Sequence, residues 1–424
     1  MNDAIVSYWR MGDKEGAIRF IDQVNADFGN PDDSQTISLN IVRFYLEKGK
    51  LTLSDVKKIL GKAEGRTLTE ALARAARLLI RFDLYEEPKM IYDYRQTFIY
   101  TPPRNMAAVH YVKNAPTDVG SWHASGLMTE KEKHVCNHKV SYSNAEQLVT
   151  DVNTQRGDVT KNVEKDAPEQ CSAWFWVCYD EYGIHLYFEH YDTKYQDVHV
   201  GKVWPCGYEM YFGIGELGAA YQFGITPTKT KYDYCPDWNS PSKYFRSLEK
   251  YSDFNSRQTE HGYGTAMNIS WELVYNCLPE NGDEWPFEMI CWSRSGGLTW
   301  GGDNIWQRSN WGHWKFEGFT PQVRSAMRRV LIYKALGRYN AQKNFAIGGS
   351  IGYWPDPELG DPVFFDKELK PLVEKLDAYA EEAKGEISDA LADKLFKEAV
   401  PLWYDFRFEA DARRKKYLRN SLTD

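Results

Sequence analysis

The chain has 424 residues, 42% hydrophobic and 26% charged, which suits a globular protein large enough for two or three domains. Its net charge of -8 and the lack of a Lys/Arg-rich stripe argue against nucleic acid or an anionic membrane surface as partners. No apolar run approaches the ~20 residues of a membrane span, and no basic region followed by an apolar one opens the chain.

Residues 1–92 read as helical. The opening MNDAIVSYWRMGDKEGAIRF enters that pattern at once, as a segment cut from a longer protein would. Location stays open on this reading, and is periplasmic or extracellular if the chain is a fragment or a mature form. Ala17, Ile18, Ile21 and Val24 share one helix face; Val56, Ile59 and Leu60 follow the N-cap candidate Ser54; Leu72, Ala75 and Leu79 repeat the spacing. Short antiparallel helices are expected, without a sustained repeat period.

Over residues 93–319 the texture turns aromatic, β-branched and alternating. SAWFWVCYDEYGIHLYFEHYD reads as two strands joined by Asp180-Glu181-Tyr182-Gly183, where the glycine can supply a positive φ. Further strands are expected at YEMYFGIG, AAYQFGITPT, TAMNISWELV, FEMICWSRS and HWKFEG, and many short strands with long loops predict an antiparallel β-sandwich. All 7 cysteines fall here; the odd count excludes an all-paired disulfide framework and predicts buried free thiols.

Residues 320–424 return to helix. Thr320 is a good N-cap, Pro321 suits the first helical position, and Val323, Met327, Val330 and Leu331 form a stripe ending near Gly337. Two more helices are expected around residues 372–379 and 391–418, the second kinked at Pro401. The cluster Arg413, Arg414, Lys415 and Lys416 closes the last helix, where positive charge meets the dipole. The fold class is therefore α+β and multidomain, a central antiparallel β-sandwich flanked by N- and C-terminal α-helical segments.

The stretch SRSGGLTWGGDNIWQRSNWGHWKFEG sets four tryptophans among glycines and charges. Around Trp300 and Trp306, the glycines at 296, 297, 301 and 302 leave two readings open, a ring that stacks on a ligand or one that packs against backbone. Trp311 and Trp314 approach a strand and read as packing, while Trp174, Trp176, Trp271 and Trp292 alternate within strands and read as core. Glu209 lies in a strand beside aromatics, as a paired carboxylate or as a ligand grip. HVCNH would place His134, Cys136 and His138 on one face of an extended segment, yet no second pair follows at structural-zinc spacing.

Several segments in order resemble the family 9 carbohydrate-binding modules, jelly-roll-like sandwiches attached to polysaccharide-degrading enzymes. WFWVCYDEYGIHLYFEHYD matches the hairpin that ends in an acidic residue, here Asp192; VWPCGYEMYFG and YQFGI match the next two strands. MNISWELVYNCLPENGDEWPFEMICWSR and GGLTWGGDNIWQRSNWGHWKFEG match the amphipathic strand with its loop and the final Trp-bearing loop and strand. The resemblance implies that Trp204 and Trp300 sandwich a terminal sugar, with Trp306 the substitute for Trp300, and that Glu209, Gln222 and Arg294 grip its hydroxyls. Gln222 stands where an arginine is common. A structural calcium is also implied, for which loop carboxylates such as Asp118, Asp151 and Asp158 are available; no cofactor is required.

Physical chemistry agrees with a sugar ligand. The C–H face of a pyranose buries apolar area on an indole at roughly 25 cal/mol per Å², while its hydroxyls seek charged or amide partners in the ring plane. A glycoside hydrolase instead needs two carboxylates about 5 to 10 Å apart. Asp192, Glu209, Glu216 and Glu272 are available, but their spacing shows no convergence, and no P-loop or HExxH string occurs. The expectation is a non-catalytic carbohydrate-binding module, part of a polysaccharide-degrading protein, with no catalytic residue assigned. Its alternatives are a glycan-active enzyme and an assembly piece of a larger protein, and the sequence does not set the oligomeric state.

Overall fold

The computed structural model describes residues 1–82, 84, 86–98, 104–139, 171–192, 207–213, 220–225, 231–234, 251–259, 262–293, 296–302, 311–348 and 361–421. Two compact units divide the chain, Met1–Gly318 and Phe319–Asp424.

The first unit opens with helices α1 (Asn2–Arg10), α2 (Lys14–Phe28), α3 (Ser34–Lys48), α4 (Leu53–Leu60), α5 (Gly65–Ile80) and α6 (Glu86–Gln96). The expected apolar faces are the packed ones: Ala17, Ile21, Val56, Leu72, Ala75 and Leu79 are fully buried. α4 begins earlier than Ser54 would place it. Thr52 is its N-cap, because Asp55 three residues on returns a hydrogen bond to the Thr52 backbone and completes a capping box.

The strands are β1 (Met106–Tyr111), β2 (His134–Cys136), β3 (His138–Lys139), β4 (Cys171–Tyr179), β5 (Gly183–Asp192), β6 (Gly207–Gly213), β7 (Ala220–Ile225), β8 (Lys231–Tyr234), β9 (Ser252–Thr259), β10 (Gly262–Ser270), β11 (Glu284–Ser293), β12 (Gly296–Thr299) and β13 (Gly312–Glu317). A short helix α7 (Val119–Ser125) lies between β1 and β2. They form one mixed sheet in the order β8-β7-β6-β11-β13-β1-β4-β5-β10-β9, with β2 and β12 pairing to β4 and β11 and β3 to β12. The departure from the expected antiparallel pattern is β1, which runs parallel to both β13 and β4.

The sheet curls. Tyr208 of β6 meets Phe188 of β5 and Tyr263 of β10 at ring distances of 4.9 and 5.2 Å, although those strands are far apart along the sheet. Phe175 of β4 likewise meets Phe287 of β11 at 5.4 Å. Rings of this size dominate such an interior because each buries a large apolar area. Trp271 belongs to it, but from a 3-10 turn (Trp271–Cys277) rather than the expected strand continuation.

The β4–β5 hairpin forms as the alternation predicts, with a different reason for its glycine. Gly183 does not take a positive φ. A Cβ there would stand 2.3 Å from the Ile269 carbonyl oxygen, so β10 can pair with β5 only if that position carries no side chain.

The second unit is helical: α8 (Pro321–Gly348), the turn Pro362–Phe364, α9 (Lys370–Glu382), α10 (Asp389–Glu398), α11 (Val400–Tyr404) and α12 (Phe406–Ser421). Thr320 caps α8, its hydroxyl accepting from the Val323 amide at 3.2 Å. The helix runs past Gly337, since Ala335 and Tyr339 extend its buried stripe and the glycine sits on the exposed side. Pro401 falls near the start of α11 and marks the expected break. Arg414, in the basic cluster, pairs with Asp361 and lies over the Phe364 ring at 5.0 Å, so it ties α12 to the preceding turn. No helix among the described residues is long and apolar enough to cross a membrane.

Candidate functional site

In β6 every residue is buried, so both faces of the strand are covered. Tyr208, Met210 and Phe212 point one way, into the aromatic interior; Glu209 and Tyr211 point the other. Register then gathers partners around Glu209. In β7, Gly224 is paired to Glu209 and Gln222 to Tyr211; in β11, Ile290 is paired to Glu209, with Trp292 two residues on and facing the same way.

The result is a polar knot in an apolar setting. Tyr211 Oη donates to Glu209 Oε1 at 2.9 Å and Trp292 Nε1 donates to Glu209 Oε2 at 2.8 Å. Gln222 Nε2 donates to Glu209 Oε1 and, at 3.0 Å, to Tyr211 Oη. Only 3% of Glu209 is exposed. A carboxylate so placed costs several kcal/mol unless its oxygens are hydrogen-bonded, and here all the donors named are neutral. Trp311 closes one side, its ring 5.2 Å from that of Tyr211, and packs with Tyr211 and Ile290 against the half-buried Trp292. The solvent-reaching members are Gln222 and Trp292. Together they offer an indole, an amide and a fixed carboxylate, a set suited to a ligand with C–H faces and hydroxyl edges.

Beside this knot, on the same face of the sheet, lies a second buried carboxylate. Glu288, paired across β11 and β6 with Tyr211, is fully buried and accepts backbone N–H groups of Met289 (2.9 Å), Trp300 (3.0 Å), Gly301 (2.8 Å) and Gly302 (3.2 Å). Burial pushes its carboxyl up to about 7, against the downward pull of those amides. A Cβ on Gly301 would stand 2.5 Å from Glu288 Oε2, so the turn can close on the carboxylate only with glycine there.

The structure brings together two of the expected grip residues, Glu209 and Gln222. Trp300, expected as a stacking ring, instead packs inside: 3% exposed, its ring lies 5.2 Å from Phe175, 5.7 Å from His134 and 5.9 Å from Phe287. Gly312 makes room for it, since a Cβ there would come within 2.4 Å of the indole. Trp204, Arg294 and Trp306 lie outside the described residues.

Tyr211, which the sequence places only within a strand, joins Trp292, expected in the core, and Trp311, expected as packing, in the cluster. The signal for Tyr211 was its two-residue spacing from Glu209. Trp292 and Trp174, both expected in the core, are only half-buried and each gives its indole N–H to a glutamate.

The other expected chemistry is dispersed. His134 lies against Phe175 at 5.0 Å, and burial lowers its imidazole to about 4; Cys136 is buried with its thiol pushed upward for the same reason. Among the described residues no three His, Cys, Asp or Glu side chains are grouped to hold a metal ion. Asp118 caps α7, accepting the Ser121 amide at 3.0 Å, while Asp151 and Asp158 lie outside the described residues. Glu272 takes the Ser270 hydroxyl at 3.2 Å in the 3-10 turn; Glu216 and the Asp192 side chain are outside the described residues.

Neither a protein-family model nor a curated protein sequence matches the chain. Over 51% of its length it is similar in structure to a family 9 carbohydrate binding module from Caldicellulosiruptor kristjanssonii solved with cellotriose, at 13% identity and a TM-score of 0.33, covering 95% of that chain. The same module solved with glucose is covered to 97%, again at 13% identity and 0.33. A Bacteroides uniformis protein provisionally described as carbohydrate-binding is covered to 100%, at 13% identity and a TM-score of 0.37.

Proposed function

We propose that the chain binds a carbohydrate at the Glu209 cluster and performs no chemistry on it. The observation that carries this reading is the Glu209 carboxylate, fixed by Tyr211, Trp292 and Gln222 between two indoles, with Trp292 and Gln222 reaching solvent. In this reading Glu209 and Gln222 hold hydroxyls and Trp292 carries the C–H face of a sugar ring, with Trp311 bracing Tyr211. Trp204, Arg294 and Trp306 complete the grip, and Trp300 backs it from the core. The curled sheet serves as a jelly-roll-like sandwich, residues 93–319, carried between helical segments 1–92 and 320–424, beside polysaccharide-degrading machinery. The order of strand motifs supports that arrangement.

A glycan array on the purified chain, followed by calorimetry and a product assay on any hit, tests this. The expected result is binding without turnover, reduced by about tenfold or more in Glu209→Gln, the scale of one hydrogen bond to a charged group. Released product would establish an enzyme instead, and a blank array would leave the assembly role.

A further inference from the structure

Glu189 of β5 stands in a constellation built like that of Glu209, on the outward face of the other half of the sheet. Trp174 Nε1 donates to Glu189 Oε2 at 2.8 Å and Tyr187 Oη donates to Oε1 at 2.9 Å. Glu209 receives an indole N–H and a tyrosine hydroxyl on the same pair of oxygens at 2.8 and 2.9 Å. In both, the tyrosine lies two residues from the glutamate on its own strand, and a glycine of the flanking strand is paired to the glutamate, Gly224 in one and Gly264 in the other. A third group touches each tyrosine hydroxyl at 3.0 Å, Gln222 in one and His123 of α7 in the other.

The Glu189 version opens to solvent. Glu189 and Trp174 are half-buried, and His123 and Arg257 are exposed. Tyr191, next on this face of β5, is 40% exposed. β10 adds nothing to cover them: Gly262 is paired to Tyr191 and Gly264 to Glu189, and a Cβ on Gly264 would stand 2.3 Å from Tyr187 Oη. Arg257 of β9 is paired to Gly264, makes no ion pair among the described residues, and acts on the Tyr187 hydroxyl, opposing the rise that burial and Glu189 impose. Lys133 lies over the Trp174 ring at 4.6 Å.

A carboxylate kept for stability alone would be ion-paired or deep. Glu189 is neither: among the described residues it makes no ion pair, and its oxygens are oriented by neutral donors at a wet surface. We propose that this patch is a second sugar site, in which Glu189 accepts from hydroxyls, Arg257 donates to ring or hydroxyl oxygens, and Tyr191 carries the apolar face. The ligand class rests on the reading of the Glu209 cluster.

Calorimetric titration with glucose, galactose, mannose, xylose and N-acetylglucosamine, on the wild-type chain, Glu189→Gln, Glu209→Gln and the double variant, tests the two sites separately. The expected result is that a sugar bound by the wild type is still bound by Glu209→Gln, and that this residual binding falls about tenfold or more on adding Glu189→Gln. Binding abolished by Glu209→Gln and untouched by Glu189→Gln would overturn the second site and leave the first. Binding lost in Glu189→Gln alone would support the second site and remove the first. Binding indifferent to both, or absent from all the sugars, would overturn both. If Glu189→Gln does not fold, Arg257→Gln and Trp174→Phe replace it, the first changing an exposed side chain and the second removing the indole N–H while keeping a smaller aromatic ring.

Discussion

The two glutamate constellations use the same parts at opposite degrees of enclosure. Around Glu209 the parts are walled by Trp311 and backed by the Glu288 clamp on the Trp300 turn, whereas around Glu189 they face water across a strip of glycine. The difference shows that an indole N–H, a tyrosine hydroxyl and a carboxylate make a stable unit of sheet surface, and that what surrounds the unit decides whether it works as core, as site or as both.

The largest effect should come from the core that backs the Glu209 cluster. Trp300→Ala empties a nearly fully buried indole site between Phe175, Phe287 and His134 and is expected to cost about 4 kcal/mol in denaturant unfolding. A near-unchanged midpoint with lost sugar affinity would return Trp300 to the role of a stacking ring.

Glu288 should give the next effect, and it has a sign. Its carboxyl titrates near 7 when folded against an ordinary 4.5, so the folded chain holds this proton more tightly than the unfolded one. The stability it adds is fully present below pH 4.5 and is lost as pH rises through about 7, a swing of about 3 kcal/mol. Unfolding measured across that window in wild type and Glu288→Gln isolates the contribution, because the difference between the two curves should fall with pH; a flat difference would show that the clamp holds its amides without titrating.

The smallest effects should separate the constellations themselves. Glu209→Gln turns an amide donor toward buried neutral donors and is expected to cost about 2 kcal/mol, while Glu189→Gln, open to water, should cost less than about 1 kcal/mol. Equal losses would mean that exposure does not distinguish the two.

Much of this was legible in the residues, for physical reasons that also mark the limits. The β4–β5 hairpin follows from strict alternation around a four-residue turn, and the α8 stripe from its 3.6-residue spacing. Glu209 and Gln222, which the motif order assigns to one grip, are hydrogen-bonded to each other. Tyr211 and Trp292 did not announce themselves because β6 is covered on both faces, and alternation says which residues share a face but not which face is the interior. β1 was missed because a six-residue strand whose two neighbours both run parallel carries no hairpin turn at either end.

That strand has a consequence for how the protein is made. β1 is the seam between the half of the sheet holding Glu209 and the half holding Glu189, and Met106 is paired to His313 of the last strand. During synthesis the seam strand leaves the ribosome early and waits unpaired on one side until the last strand of its unit arrives. Loop-closure entropy falls due late, so joining the halves should be the slow step of folding and the interval in which β1 is most open to pairing with another nascent chain.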